Sequence, residues 1–216
     1  MNTSADMDPA CLLLYLAWPE QVHGMLSMQA QDGLAPTTYP AADIAQDTPL
    51  EKLPWLLVRS ALWQLLVNLS HLRESDNSEL VHQARIGWRR LRSTMRELRS
   101  LDSLPDAPVT SGLSTLMIRL RQARDVDVAR LEVLPGLNRL NHGQVQPWSG
   151  ELSRLIKALD HEAREHMQII RTLLSTPTVV QAMWELVVWQ EKLQHFGAQQ
   201  PVDTHAAVRS ARHWIH

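Results

Sequence analysis

Cysteine occurs once in the 216 residues, as Cys11. A lone thiol excludes an internal disulfide framework and points to a reducing, cytoplasmic setting. Phe and Tyr are scarce, at 1 and 2, although Trp reaches 8. No apolar run approaches the ~20 residues a membrane span needs. The one candidate for a signal core, Cys11–Trp18, follows Asp6 and Asp8 with no Lys or Arg before it. It lacks the positive flank of a secretory signal, so no membrane association is expected. Strong net charge is also missing, at -2, so any anion must be held by local clustering. There is no Gly-rich phosphate loop, C-x-x-C, H-E-x-x-H or G-x-S-x-G, and His82 has no partner that would make it a nucleophile or a general base. Two ligand-type histidines without a third do not make a metal site, so neither metal nor cofactor is expected. Strand-like alternation never persists over a useful length.

What is present is helical periodicity. Residues 1–49 stand apart: Pro9, Pro19, Pro36, Pro40 and Pro49 punctuate an extension with one short helix, around 10–28, and a linker. From Leu50 a leucine-rich helix runs to about residue 75. Asp76, Asn77 and Ser78 are good caps for a second helix, which reaches about Leu101. After two prolines, Thr110 or Ser111 caps a third, to about Leu134. A fourth follows Pro147 to about Leu174, with an apolar stripe of Leu152, Leu155, Ile156, Leu159, Ala163, Ile170 and Leu173. Thr176–Pro177 opens a fifth, which Gly197 ends, and Pro201–Asp203 opens a last one. The chain reads as all-α, an antiparallel helical bundle with short connections.

The second helix carries two stripes. His82, Arg85, Arg89, Arg92, Arg96 and Arg99 follow at spacings of 3, 4, 3, 4 and 3, and Val81, Ala84, Trp88, Leu91, Met95 and Leu98 do so one residue earlier. Each set lies along one side of a helix, about 100° from the other. One side is built for burial, and its neighbour is a ladder of positive charge. Residues 85–99 hold six arginines, with Arg90, against the single acid Glu97. Like charges three and four apart repel, so such a helix calls for a counter-ion. A planar guanidinium fork suits phosphate-type oxygens. The His82–Arg96 stripe spans about 21 Å at ~1.5 Å per residue, the scale of an extended polyanion. The competing reading is a solvated face paired with acids of a neighbouring helix.

In the third helix, Leu113, Met117, Leu120, Arg124, Val128 and Leu131 form the expected apolar line, with Arg124 in its middle. Arg121 and Asp125 stand at i,i+4, and Arg124 and Asp127 at i,i+3. Either these acids hold arginines ready for an anion, or they form a salt-bridge knot between helices. Trp88 is the one aromatic in the basic helix and lies on its apolar side, which argues against nucleic acid.

VHQARIGWRRLR at 81–92, followed by RQARDVDV at 121–128, resembles the CHAD family, the conserved histidine α-helical domain. The resemblance implies a helical domain, over 50–216, that binds inorganic polyphosphate without being an enzyme. Its positions here are His82, Arg85, Arg89, Arg92, Arg96 and Arg124, with Arg90 and Arg121 beside them. The family's full domain has a second H-x-x-R helix. His161 and Arg164 have the letters, but Glu162 and Glu165 interrupt the basic stripe. The chain is therefore expected to be half of a two-bundle architecture and to self-associate. Polyphosphate granules are one expected location. A protein-interaction module, or an accessory domain related to an inorganic triphosphatase, are the rival functions. No CYTH-like E-x-E-x-K strand accompanies the latter.

Overall fold

The computed structural model describes residues 36, 38, 48–99, 101, 104–136 and 149–199. Every regular element among them is helical: α1 (Leu53–His71), α2 (Ser78–Leu98), α3 (Ser114–Val128), α4 (Ser149–Leu174) and α5 (Pro177–Gln199). The expected helices near 10–28 and beyond Pro201 lie outside the described residues.

Helix α1 is the centre of the core. Residues 60–69 are buried on every side, as befits a helix that is apolar almost all round. It packs against α2 and α5, while α3 packs against α2 and α4. On α2 the expected apolar stripe is buried at Val81, Ala84, Leu91, Met95 and Leu98, with Trp88 half-buried at its edge. Asn77 is the cap among the three candidates: its Oδ1 accepts the Glu79 N–H at 2.9 Å. Asp76 instead accepts from Arg171 of α4 at 2.6 Å, which fastens α4 to the α1–α2 turn.

Gly87 explains how closely α1 and α2 approach. A Cβ there would stand 2.6 Å from the Leu65 backbone nitrogen and 3.1 Å from the Ala61 carbonyl oxygen. Arg90, one of the expected anion ligands, is turned into this same interface. It donates to Gln64 Oε1 at 2.6 Å and Ser60 Oγ at 2.8 Å, and Gln64 Nε2 donates on to Gln83 Oε1 at 2.8 Å. These polar groups are satisfied between two helices, so Arg90 belongs to the packing of α2 on α1.

Four expectations are corrected. The buried line that enters α3 from Leu113 runs through Leu116, Leu120, Ala123 and Asp127, one position from the line through Met117 and Arg124. Thr110 and Ser111 do not cap by side chain; a short 3-10 turn at Ser111–Leu113 leads into α3. On α4 the stripe is covered at Ala163 and Ile170, yet Leu155 and Ile156 remain 47% and 39% exposed. Helix α5 starts at Pro177 as expected but runs through Gly197 to Gln199.

Candidate functional site

A cleft of about 1060 Å³ lies between α2, α3 and the loop at residues 107–110. Helix periodicity builds its first wall. The 3/4 spacing that hides Val81, Ala84 and Leu91 must turn His82, Arg85, Arg89, Arg92 and Arg99 toward a neighbouring side, and all five line the cleft. The rotation of α3 builds the second. With Leu116, Leu120 and Ala123 in the core, Met117, Arg121, Arg124 and Val128 share the face that looks across at α2. The loop adds an apolar rim of Ala107, Pro108 and Val109. It is anchored where the Trp189 indole of α5 donates to the Pro105 carbonyl oxygen at 2.9 Å.

Six arginines line the cleft against one carboxylate, Asp125. Among the described residues no carboxylate stands within ion-pairing distance of Arg89, Arg92 or Arg99. All three are exposed. Arg85 is more enclosed, with a side chain 34% exposed. Its Nη1 donates to the Arg121 main-chain carbonyl at 3.2 Å, a direct tie between α2 and α3. Burial, together with the charges of Arg121, Arg124 and Arg89, holds its pKa below the ordinary guanidinium value, and Asp125 pulls the other way. A guanidinium lowered from so high a starting point is still protonated at neutral pH.

The acids of RQARDVDV divide between two duties. Asp125 faces the cleft, with oxygens 3.8 Å from Arg85 and 3.7 Å from Arg121. Asp127 is buried and pairs with Arg130 at 3.2 Å, and Arg130 reaches Asp160 of α4 at 3.1 Å. The helix-joining knot is therefore Asp127–Arg130–Asp160. Arg124 takes no part in it: its side chain, 20% exposed, lines the cleft and meets Glu132 at 2.8 Å. Glu132 lies in a π-helical turn, Ala129–Val133, directly after α3.

The structure thus brings together His82, Arg85, Arg89, Arg92, Arg121 and Arg124 from the eight expected positions. Arg96 lies just beyond, on a smaller extension it shares with Arg89, Arg92 and Arg99, where its Nε is 3.3 Å from Glu97. Arg90 stands apart in the α1–α2 interface. The cleft adds Arg99, whose place in the 3/4 ladder signalled it, and the apolar wall of Ile86, Val109, Met117 and Ile118, which no local pattern signalled. Its metal-ligand types are His82 and Asp125, and no group of three His, Cys, Asp or Glu that could hold a metal occurs among the described residues. No helix among them is long and apolar enough to cross a membrane. Chemically, the arrangement offers a row of forked donors to oxygen anions, in a cleft open along its length.

Comparison with curated proteins returns no match. Among solved structures, the CHAD domain of the plant Ricinus communis has the same fold, with a TM-score of 0.66 at 24% identity. The superposition covers 84% of this chain and 58% of that one, so this chain spans little more than half of the plant domain. The family model of the CHAD domain matches residues 56–215, a span that includes both walls of the cleft. The chain belongs to the CHAD domain family.

Proposed function

We propose that this chain is a non-enzymatic binding module for an extended phosphate polyanion, inorganic polyphosphate being the ligand that fits best. The observation that carries this reading is the run of Arg89, Arg92 and Arg99, aligned on one wall and without an acidic partner among the described residues. Mutual repulsion along such a row, partly screened by water and salt, is relieved further by an anion that touches several guanidiniums at once. A single phosphate reaches neighbours. A chain of phosphates follows the whole ladder, which from Arg85 to Arg99 rises about 21 Å at ~1.5 Å per residue. Arg85, Arg121 and Arg124 close one end, and His82 extends it. No group in the cleft pairs a nucleophile with a base, so the role assigned to it is holding the anion.

Titration with long-chain polyphosphate at moderate salt tests the reading. Binding is expected to weaken as salt rises, by a slope of roughly -0.7 per phosphate contacted in log–log form, as for single-stranded nucleic acids. The double variant Arg89→Glu/Arg92→Glu changes two exposed side chains and should fold, yet lose at least about tenfold in affinity, ~1.4 kcal/mol. Unchanged affinity in that variant would place the site elsewhere. A protein-docking role is the second reading, favoured by the exposed Leu155 and Ile156 of α4. Binding carried by those residues would be nearly indifferent to the same salt series.

A further inference from the structure

Asp125 is the one carboxylate in the lining of a cleft that otherwise collects six arginines. Its position is unusual for a residue whose task is to orient them. Its oxygens stand 3.8 Å from Arg85 Nη1 and 3.7 Å from Arg121 Nε, beyond hydrogen-bond range. Arg85 is instead fixed by a hydrogen bond to the main-chain carbonyl of Arg121. A backbone oxygen therefore does the positioning, and the carboxylate contributes charge. The Asp125 side chain is 65% exposed, so it can swing away without leaving a hole.

We propose that Asp125 is a tethered internal counter-ion that competes with the ligand at the enclosed end of the cleft and so sets a minimum charge for binding. The inference rests on the polyanion reading of this cleft. A carboxylate attached to the site is present at a high effective concentration and need not be captured from solution. An anion entering between Arg85 and Arg121 must displace it or lie beside it. A short anion gains most at that place, where guanidiniums of both helices converge, because it can span only neighbouring rungs of the ladder elsewhere. A long one also follows Arg89, Arg92 and Arg99, which have no such competitor among the described residues. The same carboxylate thus disfavours short phosphates more than long chains. Selectivity arises from a repulsive element inside an attractive site.

Calorimetric titration of the full chain with tripolyphosphate and with long-chain polyphosphate, at one fixed ionic strength, tests this. Asp125→Asn keeps the shape and removes the charge. It is expected to bind tripolyphosphate up to about tenfold more tightly than the wild type, the scale of two partly exposed charge contacts, and to gain less on the long chain. Asp125→Glu keeps the charge and should stay near the wild type. Equal or weaker binding of tripolyphosphate by Asp125→Asn would overturn the proposal and make the carboxylate a positioning group. So would an equal gain in Asp125→Glu, because the effect would then not be one of charge. If wild type and variants alike fail to bind the long chain, the polyanion reading itself falls, and that outcome is distinct from the other two.

Discussion

At the scale of single residues, the basic ladder depends on a glycine that carries no charge. Gly87 sits between Arg85 and Arg89, on the far side of α2 from the cleft, where α1 comes within contact of its backbone. In an open helix, Gly→Ala would stabilise by roughly 1 kcal/mol through helix propensity. Here the added methyl would meet the Leu65 backbone nitrogen at 2.6 Å, and main chain cannot rotate aside. Overpacking of that kind costs about 1–3 kcal/mol, so the sign reverses. Gly87→Ala is expected to be less stable in urea unfolding, by up to about 2 kcal/mol once the propensity gain is subtracted. A more stable variant would mean that the two helices are farther apart. The reason Gly87 escapes a reading of the chain is physical: its clash partner is 22 positions away, and no local period reports it. Arg90 is the same case. By charge it looks like another ligand, although it stands one residue off the 3/4 ladder, and the presence of Ser60 and Gln64 opposite it shows what it faces.

Whole elements were legible where one periodicity settled the orientation, and illegible where two competed. On α2 the apolar and basic stripes are each continuous, so burying one fixes the other, and four of the six positions expected on this helix, His82, Arg85, Arg89 and Arg92, line the cleft. On α3 two apolar lines share Leu113 and Leu120. One continues through Met117 to Arg124, the other through Leu116 to Ala123 and Asp127. A shift of one residue turns a helix by about 100°, and only packing on α2 and α4 decides between them. The choice makes Arg124 a cleft residue and buries Asp127. That burial has a consequence for pH. Lying out of water pushes the Asp127 carboxyl up, with Arg130 and Arg124 opposing. A folded-state pKa above the unfolded one means that the folded chain holds the extra proton. The contribution of Asp127 is then present below the unfolded value and lost as pH rises through the raised one. Asn at this position does not titrate but can still accept from Arg130. Wild-type stability relative to Asp127→Asn is therefore expected to decline as pH climbs upward from the ordinary carboxylate range, in urea unfolding at each pH. The opposite slope would mean that the Arg130 pair, at 3.2 Å, outweighs burial.

For the molecule as a whole, the decisive number is the contrast between a net charge of -2 and a cleft lined by six arginines and one carboxylate. The chain is not a polycation that gathers anions everywhere. Its positive potential is concentrated between two helices, where low-dielectric walls sharpen it. Unfolding disperses that potential along a chain with slightly more acid than base. A polyanion should therefore bind the folded form in strong preference to the unfolded one. Ligand at about 100 times its Kd adds roughly 2.7 kcal/mol to folding stability. For a domain of this size, each kcal/mol moves Tm by about 2–4 °C, which gives a rise on the order of 5–11 °C in thermal unfolding with polyphosphate at low salt. The shift should fade towards 1 M salt, where the screening length shrinks to about 3 Å. It should be at least halved in the Arg89→Glu/Arg92→Glu double variant, where a tenfold weaker Kd leaves at most about 1.4 kcal/mol at the same ligand concentration. A shift that survived molar salt, or persisted in full after charge reversal, would mean that the stabilising contact is apolar or lies outside the cleft. Because neither Arg89 nor Arg92 has an acidic partner among the described residues, their reversal should leave the unliganded Tm almost unchanged. Reduction of the ligand-induced rise at constant unliganded Tm then separates a defect in binding from a defect in folding.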